Sequence, residues 1–579
     1  MFLITLCAFA GAITGGHLHL DDWGYTYGCP FVKDGLSWNN IVRAFLDPGN
    51  GGIWMPVTYV SYMLDISLFG GGWRVNHAVN VVLHGVNAML VFAFLLAAVE
   101  RLKVKDKGEG DASGSPSSCA SRQTVLACAV GALVWSLHPM RAEAVVWVAS
   151  RKEELWSMFA LMASLAWIGF LEKGGAGRYI ATKSLFALAC LAKPTAVCFP
   201  VLAMLIQLTL FREKRIRIRN FVPMLIISMI VGIMAIISQT NPTGMERVDI
   251  SDTTFAWRIL NAAVSVGLYI AHSVVPAGIH MDYRAVFGGW PLGGTLGLVS
   301  CAIAAALLLM RWRAANRLPL FAAGWFIVSL LPVLGLLGVT GDKAYADRYT
   351  YLPAVALSLL IVVLGLKGRG AAIWAFAVAL LLAETWVLLP VVKSFSSDYL
   401  AYSRVLAYDP GHWRALRVVG CECCARQNRM DEGIEMLKRS LELRPSQTTA
   451  DSLAYTLACR GRDGDFAEVK RLGAVAAATP SCDKGGMMLD ALGIAAMREG
   501  DDAAAVRYFS ASLVAPRRTH SNIHAMLNLG LSLANVGRRD EALKILAKLK
   551  GVANGKVRAR AADACAKLAA GEDARFIWQ

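Results

Sequence analysis

"NHAVNVVLHGVNAMLVFAFLLAAVERLKVKDKGEGDASGSPSSCASRQ", Asn76 to Gln123, joins an apolar run to a polar loop carrying Arg101, Lys103, Lys105 and Lys107. About 20 mainly apolar residues cross a hydrocarbon core of roughly 30 Å, which the stretch from Asn76 to Ala97 satisfies. The Gly/Ser-rich loop that follows reads as cytoplasmic, because basic loops stay on that side. Composition agrees: of 579 residues 56% are hydrophobic and 17% charged, with a mean hydropathy of +0.47. That balance excludes a soluble protein of this size and defines a polytopic membrane protein. The net charge of +16 falls largely in short clusters between apolar runs, where it orients loops, so no nucleic-acid partner is expected.

Working outward, Met1 to about Gly16 is a first apolar run. It lacks the basic n-region of a signal peptide and is read as a helix. With both it and the 100–123 loop anchored inside, "GGHLHLDDWGYTYGCP" (15–30) faces the periplasm or an equivalent lumen. The third and fourth spans, Thr124 to Leu137 and Leu155 to Phe170, form a hairpin with the outer turn "HPMRAEAVVWVASRKEE" (138–154). The fifth and sixth share "LFALACLAKPTAVCFPVLAMLIQL" (185–208), bending at Lys193 and Pro194. Later spans run Phe221 to Ile237, Leu292 to Met310, Leu318 to Val339, Leu352 to Leu366 and Ala371 to Leu389. Ile259 to Val275 is read as re-entrant or interfacial, since counting it would put Arg311 and Arg313 outside. The expectation is an all-α chain with about eleven spans, lying in the inner membrane. The odd count puts the carboxyl-terminal region on the side of Asp21 and Asp22.

From about Lys393 the chain becomes soluble and helical, which divides it into a membrane domain (1–392) and a second domain (393–579). Pro410, Pro445, Pro480 and Pro516 recur about every 35 residues, interleaved with Asn428, Gly464, Gly500 and Gly537. Small residues such as Ala504, Ala511 and Ala542 are expected where paired helices approach closely. The region resembles tetratricopeptide repeats, about four of them, which stack into a concave surface suited to extended peptide.

Charged residues in or beside spans are costly and default to functional hypotheses. Here they gather on the outer side: Asp21, Asp22, His138, Arg141, Glu143, Arg151, Glu153, Lys193, Asp282, Arg284, Asp347 and Arg348. Each alone fits an interfacial anchor or loop ion pair. Together, carboxylates beside basic groups suit a reaction in which a phosphate leaves and a hydroxyl attacks.

"LDDWGYTYGCPFVKDGLSWNNI" (20–41), "WMPVTYVSYMLDISLFG" (54–70), "NHAVNVVLHGVNAMLVF" (76–92), "LHPMRAEAVVWVASRKEEL" (137–155), "LAKPTAVCFP" (191–200), "LLPVLGLLG" (330–338) and "ADRYTYLP" (346–353) follow one another in a recognisable order. The chain resembles the GT-C membrane glycosyltransferases, specifically the transmembrane and tetratricopeptide-repeat protein O-mannosyltransferases and their bacterial relatives. It departs from that pattern at Glu153 and near Met140, which puts the details of the second outer turn in doubt.

The resemblance implies a polyprenyl-phosphate sugar as donor, a protein or peptide acceptor and an acidic catalytic pair, matched by Asp21 and Asp22. Asp21 is the expected base and Asp22 the residue that orients it or the acceptor. An Asp carboxylate has a pKa near 4, and burial beside a second carboxylate raises it. Direct displacement would invert the anomeric centre. Arg348, then Lys193 and Arg151, are the candidates for the leaving phosphate, Arg348 because a guanidinium grips phosphate bidentately. His138, Arg141, Glu143, Asp347 and Tyr349 are the candidate substrate contacts. His77, His84, Asn76 and Asn80 are expected to pack the second span.

The Asp pair is able to hold a divalent cation, yet no second ligand cluster has recognisable spacing, so no metal site is assigned. Without a Walker loop or a cytoplasmic DxD pattern, the donor is expected to be lipid-linked. The 13 cysteines fit either pairing in an oxidising periplasm or buried packing, and packing is expected for most of them. Three other functions compete. A transporter would show internal membrane repeats and midplane helix breaks, which the sequence lacks. An inactive repeat scaffold leaves the convergent charges unexplained. A lipid or polysaccharide glycosyltransferase of the same architecture differs only in its acceptor.

Overall fold

The computed structural model describes residues 1–18, 21–47, 52–106, 121–240, 254–283, 318–336, 345–367, 371–426, 429–478, 486–515, 523–551 and 554–570. The expected span Leu292 to Met310, Arg284, Arg311, Arg313, Asn428, Pro480 and Pro516 lie outside them. The described residues form helices and no strand. They divide into two compact units, Met1–Arg404 and Val405–Gln579.

In the first unit, α1 (Phe2–Phe9) leads through a short loop into the single turn α2 (Asp22–Tyr25). Then follow α3 (Trp38–Leu46), α4 (Pro56–Phe69), α5 (Trp73–Asp106), α6 (Arg122–Leu137), α7 (Ala142–Val146), α8 (Arg151–Lys173) and α9 (Ala176–Ala192). Next come α10 (Phe199–Leu210), α11 (Val222–Thr240), α12 (Phe255–Val274), α13 (Leu318–Leu330), α14 (Val355–Lys367), α15 (Ala371–Ser394) and α16 (Asp398–Tyr408). Among the described residues three helices are long and apolar enough to cross a membrane: Trp73–Leu102, Val148–Lys173 and Ala371–Ser394. A fourth span results if Arg122–Leu137 and Pro139–Val146, bent by 57°, are one. Phe2–Thr14, Pro194–Leu210, Val222–Ser238, Leu320–Val333 and Val355–Leu366 are shorter apolar helices. Lys193 has extended backbone between α9 and the 3-10 turn at Pro194, so the chain breaks at the expected bend. Helix α12, capped by the Thr254 hydroxyl on Trp257 N–H, is not among the apolar spans.

Helix α5 is the hub, packing on α1, α6 and α8, with α14 and α15 against α6. The turn after α6 is not a solvated loop: every residue from Val134 to Ser157 is buried. Its backbone groups therefore need partners inside the protein, and α4 and α5 supply them. Tyr62 Oη donates to Val148 O at 2.7 Å, Asn80 Nδ2 to Val145 O at 3.2 Å, and His84 Nε2 lies 2.9 Å from Ser136 O. His77 Nε2 lies 3.0 Å from Gly16 O, and Tyr27 donates to Asn76 at 2.8 Å. The polar face of α5 thus serves the 16–27 segment and the turn after α6 rather than neighbouring helices alone.

The second unit is a run of helical hairpins: α17 (Trp413–Arg426) with α18 (Met430–Leu443), α19 (Gln447–Arg460) with α20 (Asp465–Ala478), α21 (Gly486–Glu499) with α22 (Asp502–Val514), and α23 (Ile523–Asn535) with α24 (Arg539–Ala547), followed by α25 (Gly555–Ala570). The glycine period marks the turns inside hairpins: Gly464, Gly500 and Gly537 have φ of 86°, 86° and 78°, left-handed values that favour glycine. Ala504 and Ala542 are buried as expected. Ala511 is not: it is exposed, and Ser512 turns inward instead, donating to Gly486 O at 2.9 Å and bonding Asp490. The reason is one residue of helix register, since a shift of one position rotates a side chain by about 100°. The close approaches fall on glycines: a Cβ on Gly493 would stand 2.7 Å from the Phe509 ring, and one on Gly530 2.7 Å from Leu546. The ten described cysteines are free thiols, among them Cys424, whose Sγ lies 3.8 Å from Met430 O.

Phe509 is fully buried and has no room to retreat. Gly493→Leu is therefore expected to destabilise this unit by about 1–3 kcal/mol, the cost of overpacking. A lowered thermal transition of the full-length protein in detergent, read by the circular dichroism of its helices, checks this; an unchanged transition would show that α21 and α22 separate freely.

Candidate active site

Asp22 opens α2 and is completely buried. Its two carboxylate oxygens are taken by backbone donors from different parts of the chain, Leu18 N–H at 2.9 Å and Ala149 N–H at 2.8 Å. Burial pushes its pKa up to about 7, against the opposing pull of those two N–H groups. Asp21, at the N-terminal edge of the same turn, is half-buried, and its carboxylate makes no hydrogen bond among the described residues. The pair is therefore asymmetric, with one carboxyl built into the protein and its neighbour free to meet a substrate.

Facing it is the buried turn after α6. Successive residues on a helix point about 100° apart, so the run Arg151, Lys152, Glu153, Glu154 at the start of α8 disperses in different directions. Arg151 is swallowed whole: Nη2 pairs with Asp65 at 2.7 Å and donates to Asn76 O at 2.9 Å, Nε donates to Asn80 at 2.7 Å, and the guanidinium lies 4.4 Å from the Tyr62 ring. Glu153 forms an ion pair with Lys193 and accepts from Trp156 Nε1 at 2.9 Å. Lys152 lies 4.5 Å from the Tyr25 ring and 6.0 Å from that of Trp147.

The 346–353 segment closes this cluster. Glu143 accepts from Arg348 N–H at 3.0 Å and forms an ion pair with its guanidinium. Burial works against the Arg348 charge, and Glu143, Tyr349 and Glu153 together more than offset it, so its pKa lies above the usual arginine value. The guanidinium stands 5.0 Å from the Trp147 ring and 4.7 Å from that of Tyr349, which also has the Lys193 ammonium at 5.1 Å.

The structure thus brings together Glu143, Glu153, Lys193, Arg348 and Tyr349, with Ala149 and Lys152 linking them to the Asp pair. The other expected site residues stand apart. Arg151 is turned toward α4 and α5. Asp347 is saturated by Tyr283 Oη at 2.7 Å and Tyr345 Oη at 3.1 Å. His138 Nδ1 accepts from Met140 N–H at 3.3 Å, and Arg141 donates to Thr350 at 2.6 Å. Sequence reasoning missed Asp65, the counter-charge to Arg151, and Lys152. A lone carboxylate within the apolar "SYMLDISLF" (61–69) was the visible signal for the first. No group of three or more His, Cys, Asp or Glu that could hold a metal ion is present among the described residues.

No family model matches the chain. Over 184 residues, 31% of this chain, it is 27% identical to Protein O-mannosyl-transferase TMTC1 of Mus musculus. That match covers 17% of the mouse protein's length.

Two outcomes follow from this geometry. A carboxyl whose pKa is raised on folding favours the fold while protonated: its contribution is complete below the unfolded pKa of 3.8 and is lost as pH climbs through about 7. Thermal stability should therefore carry a component that falls between those limits. Asp22→Asn should remove it, leaving a flatter profile in melts across that pH range. Separately, Arg348→Ala strands the buried Glu143 charge and should cost about 3–5 kcal/mol. Glu143→Gln combined with Arg348→Met should recover most of it, measured as transition temperatures of the wild type and the two variants.

Proposed function

We propose that this chain is a membrane glycosyltransferase that moves a hexose, mannose in the first instance, from a polyprenyl-phosphate donor to a Ser or Thr hydroxyl of a protein on the outer face of the membrane. The observation that carries this reading is the half-exposed Asp21 carboxylate, free of hydrogen bonds among the described residues, beside a fully fixed Asp22 and a buried group of cations. The likeness to a protein O-mannosyl-transferase supports the reaction class, and the apolar helices support a membrane setting.

In this mechanism the acceptor oxygen attacks the anomeric carbon while Asp21 takes its proton. The new carbon–oxygen bond forms on the face opposite the phosphate, the bond from carbon to phosphate oxygen breaks, and its electron pair leaves with the lipid phosphate. The anomeric centre inverts, and no covalent intermediate on the protein is needed. Asp22 holds the base in place through its backbone contacts. Cations kept in a site that excludes water stabilise the charge that develops on the departing phosphate without having to reorganise.

The architecture proposed is of the GT-C type, with about eleven spans, the number expected from the sequence. The hairpins of the second unit are assigned as tetratricopeptide repeats that hold the acceptor chain. Basic loops inside then place the acidic pair and the repeats together on the periplasmic side of the inner membrane.

Asp21→Asn should lower transfer from a radiolabelled polyprenyl-phosphate hexose to a Ser/Thr-rich peptide by roughly 10²–10⁴-fold, the usual share of a general base. Folding should be unaffected, as no hydrogen bond is removed. Wild-type turnover by the variant would exclude Asp21 from the chemistry.

A further inference from the structure

Of the buried cations at the turn after α6 and the segments packed on it, three have a carboxylate of their own: Arg151 has Asp65, Lys193 has Glu153 and Arg348 has Glu143. Arg141 and Lys152 have none. Arg141 donates to Thr350 at 2.6 Å and lies against the Trp135 and Tyr351 rings. Of the two, Lys152 is the one that feels Asp21 most strongly. It is 5% exposed, and its ammonium makes no ion pair or hydrogen bond among the described residues. Two aromatic faces, Tyr25 at 4.5 Å and Trp147 at 6.0 Å, are what it has in exchange for water. Ring quadrupoles compensate only a fraction of the cost of burying a charge.

The surrounding field is divided. Asp21 is the strongest attraction on Lys152, with Glu153 weaker, while Arg348 and Lys193 repel it. Lys152 therefore stands between the Asp21 carboxylate and the paired cations, and among the described residues the fold brings no carboxylate into direct contact with it.

We propose that Lys152 is the anion-binding residue of this site, its ammonium taking a phosphate oxygen of the lipid-linked donor while Arg348 and Lys193 set the positive field behind it. This rests on the donor reading given above. An ammonium is a compact point charge with three donors, able to hold one oxygen of a phosphodiester without surrounding it. As the bond from the anomeric carbon to phosphate oxygen breaks, that oxygen keeps the electron pair, and Lys152 stabilises the added charge without giving up a proton. Asp21 accepts the proton from the acceptor on the other side of the sugar. The paired cations are by the same logic supports: moving one to a ligand would strand its carboxylate.

The test uses the full-length protein in detergent micelles with two radiolabelled probes, undecaprenyl phosphate and the uncharged undecaprenol. The wild type should prefer the phosphate. Lys152→Met should weaken phosphate binding about tenfold or more, as expected when a charge-assisted contact is lost, and leave undecaprenol binding unchanged. Lys152→Gln, which is closer in polarity, should do the same and serves if the Met variant does not fold; Lys152→Arg should keep most of the affinity. Undiminished phosphate binding in the Met or Gln variant, with the wild-type preference intact, overturns the role of Lys152 and leaves the donor reading standing. A wild type that binds both lipids alike overturns the donor reading and this assignment with it.

Discussion

The Asp22 carboxylate is the interaction on which the site is built. By accepting from Leu18 on one side and Ala149 on the other, it fastens the loop after the first helix to a turn more than a hundred residues away. Both oxygens are used for this. The neighbouring Asp21 is held in place by its backbone rather than by its own side chain. Adjacent carboxyls in one turn thus divide two demands that conflict in a single group: to be rigid, and to have oxygens free.

The turn at the other end of that link is itself under strict conditions. With Val134 to Ser157 buried throughout, its charges are costly to hold, and three of them are met by residues far off in sequence. Glu143 meets Arg348, Glu153 meets Lys193, and Arg151 meets Asp65. These pairs are worth little as net stability, because desolvation offsets their attraction, but each is costly to break. They act as registration pins between helices, and they leave a fixed electrostatic surface against which Asp21 stands.

Much of this was legible in the sequence, and the rest follows a physical pattern. The break at Lys193 and the glycine period in the second unit depend on local composition and backbone freedom, and the structure places them where expected, whereas of the expected spans three described helices, or four with the bent pair, are long and apolar enough to cross a membrane. Partner choice depends on tertiary proximity, so Arg151 read as a phosphate ligand until Asp65, Asn76 and Asn80 surrounded it. Lys152 was overlooked beside it for the same reason, since a string cannot show which of four consecutive charges turns toward which neighbour. Ala511 marks a finer limit: composition indicates that small residues lie between helices, but a register error of one position exchanges an inward residue for an outward one. Gly493 and Gly530 were the tighter contacts.

The hairpins of the second unit make their principal contacts with the hairpins beside them. An array of this kind has a modular grammar: duplication or loss of one hairpin by recombination leaves every remaining interface with the same chemistry, provided the final helix still covers the exposed end. The length of the array is therefore free to drift between lineages by whole hairpins, while the first unit, whose pins link distant segments of chain, tolerates no such insertion.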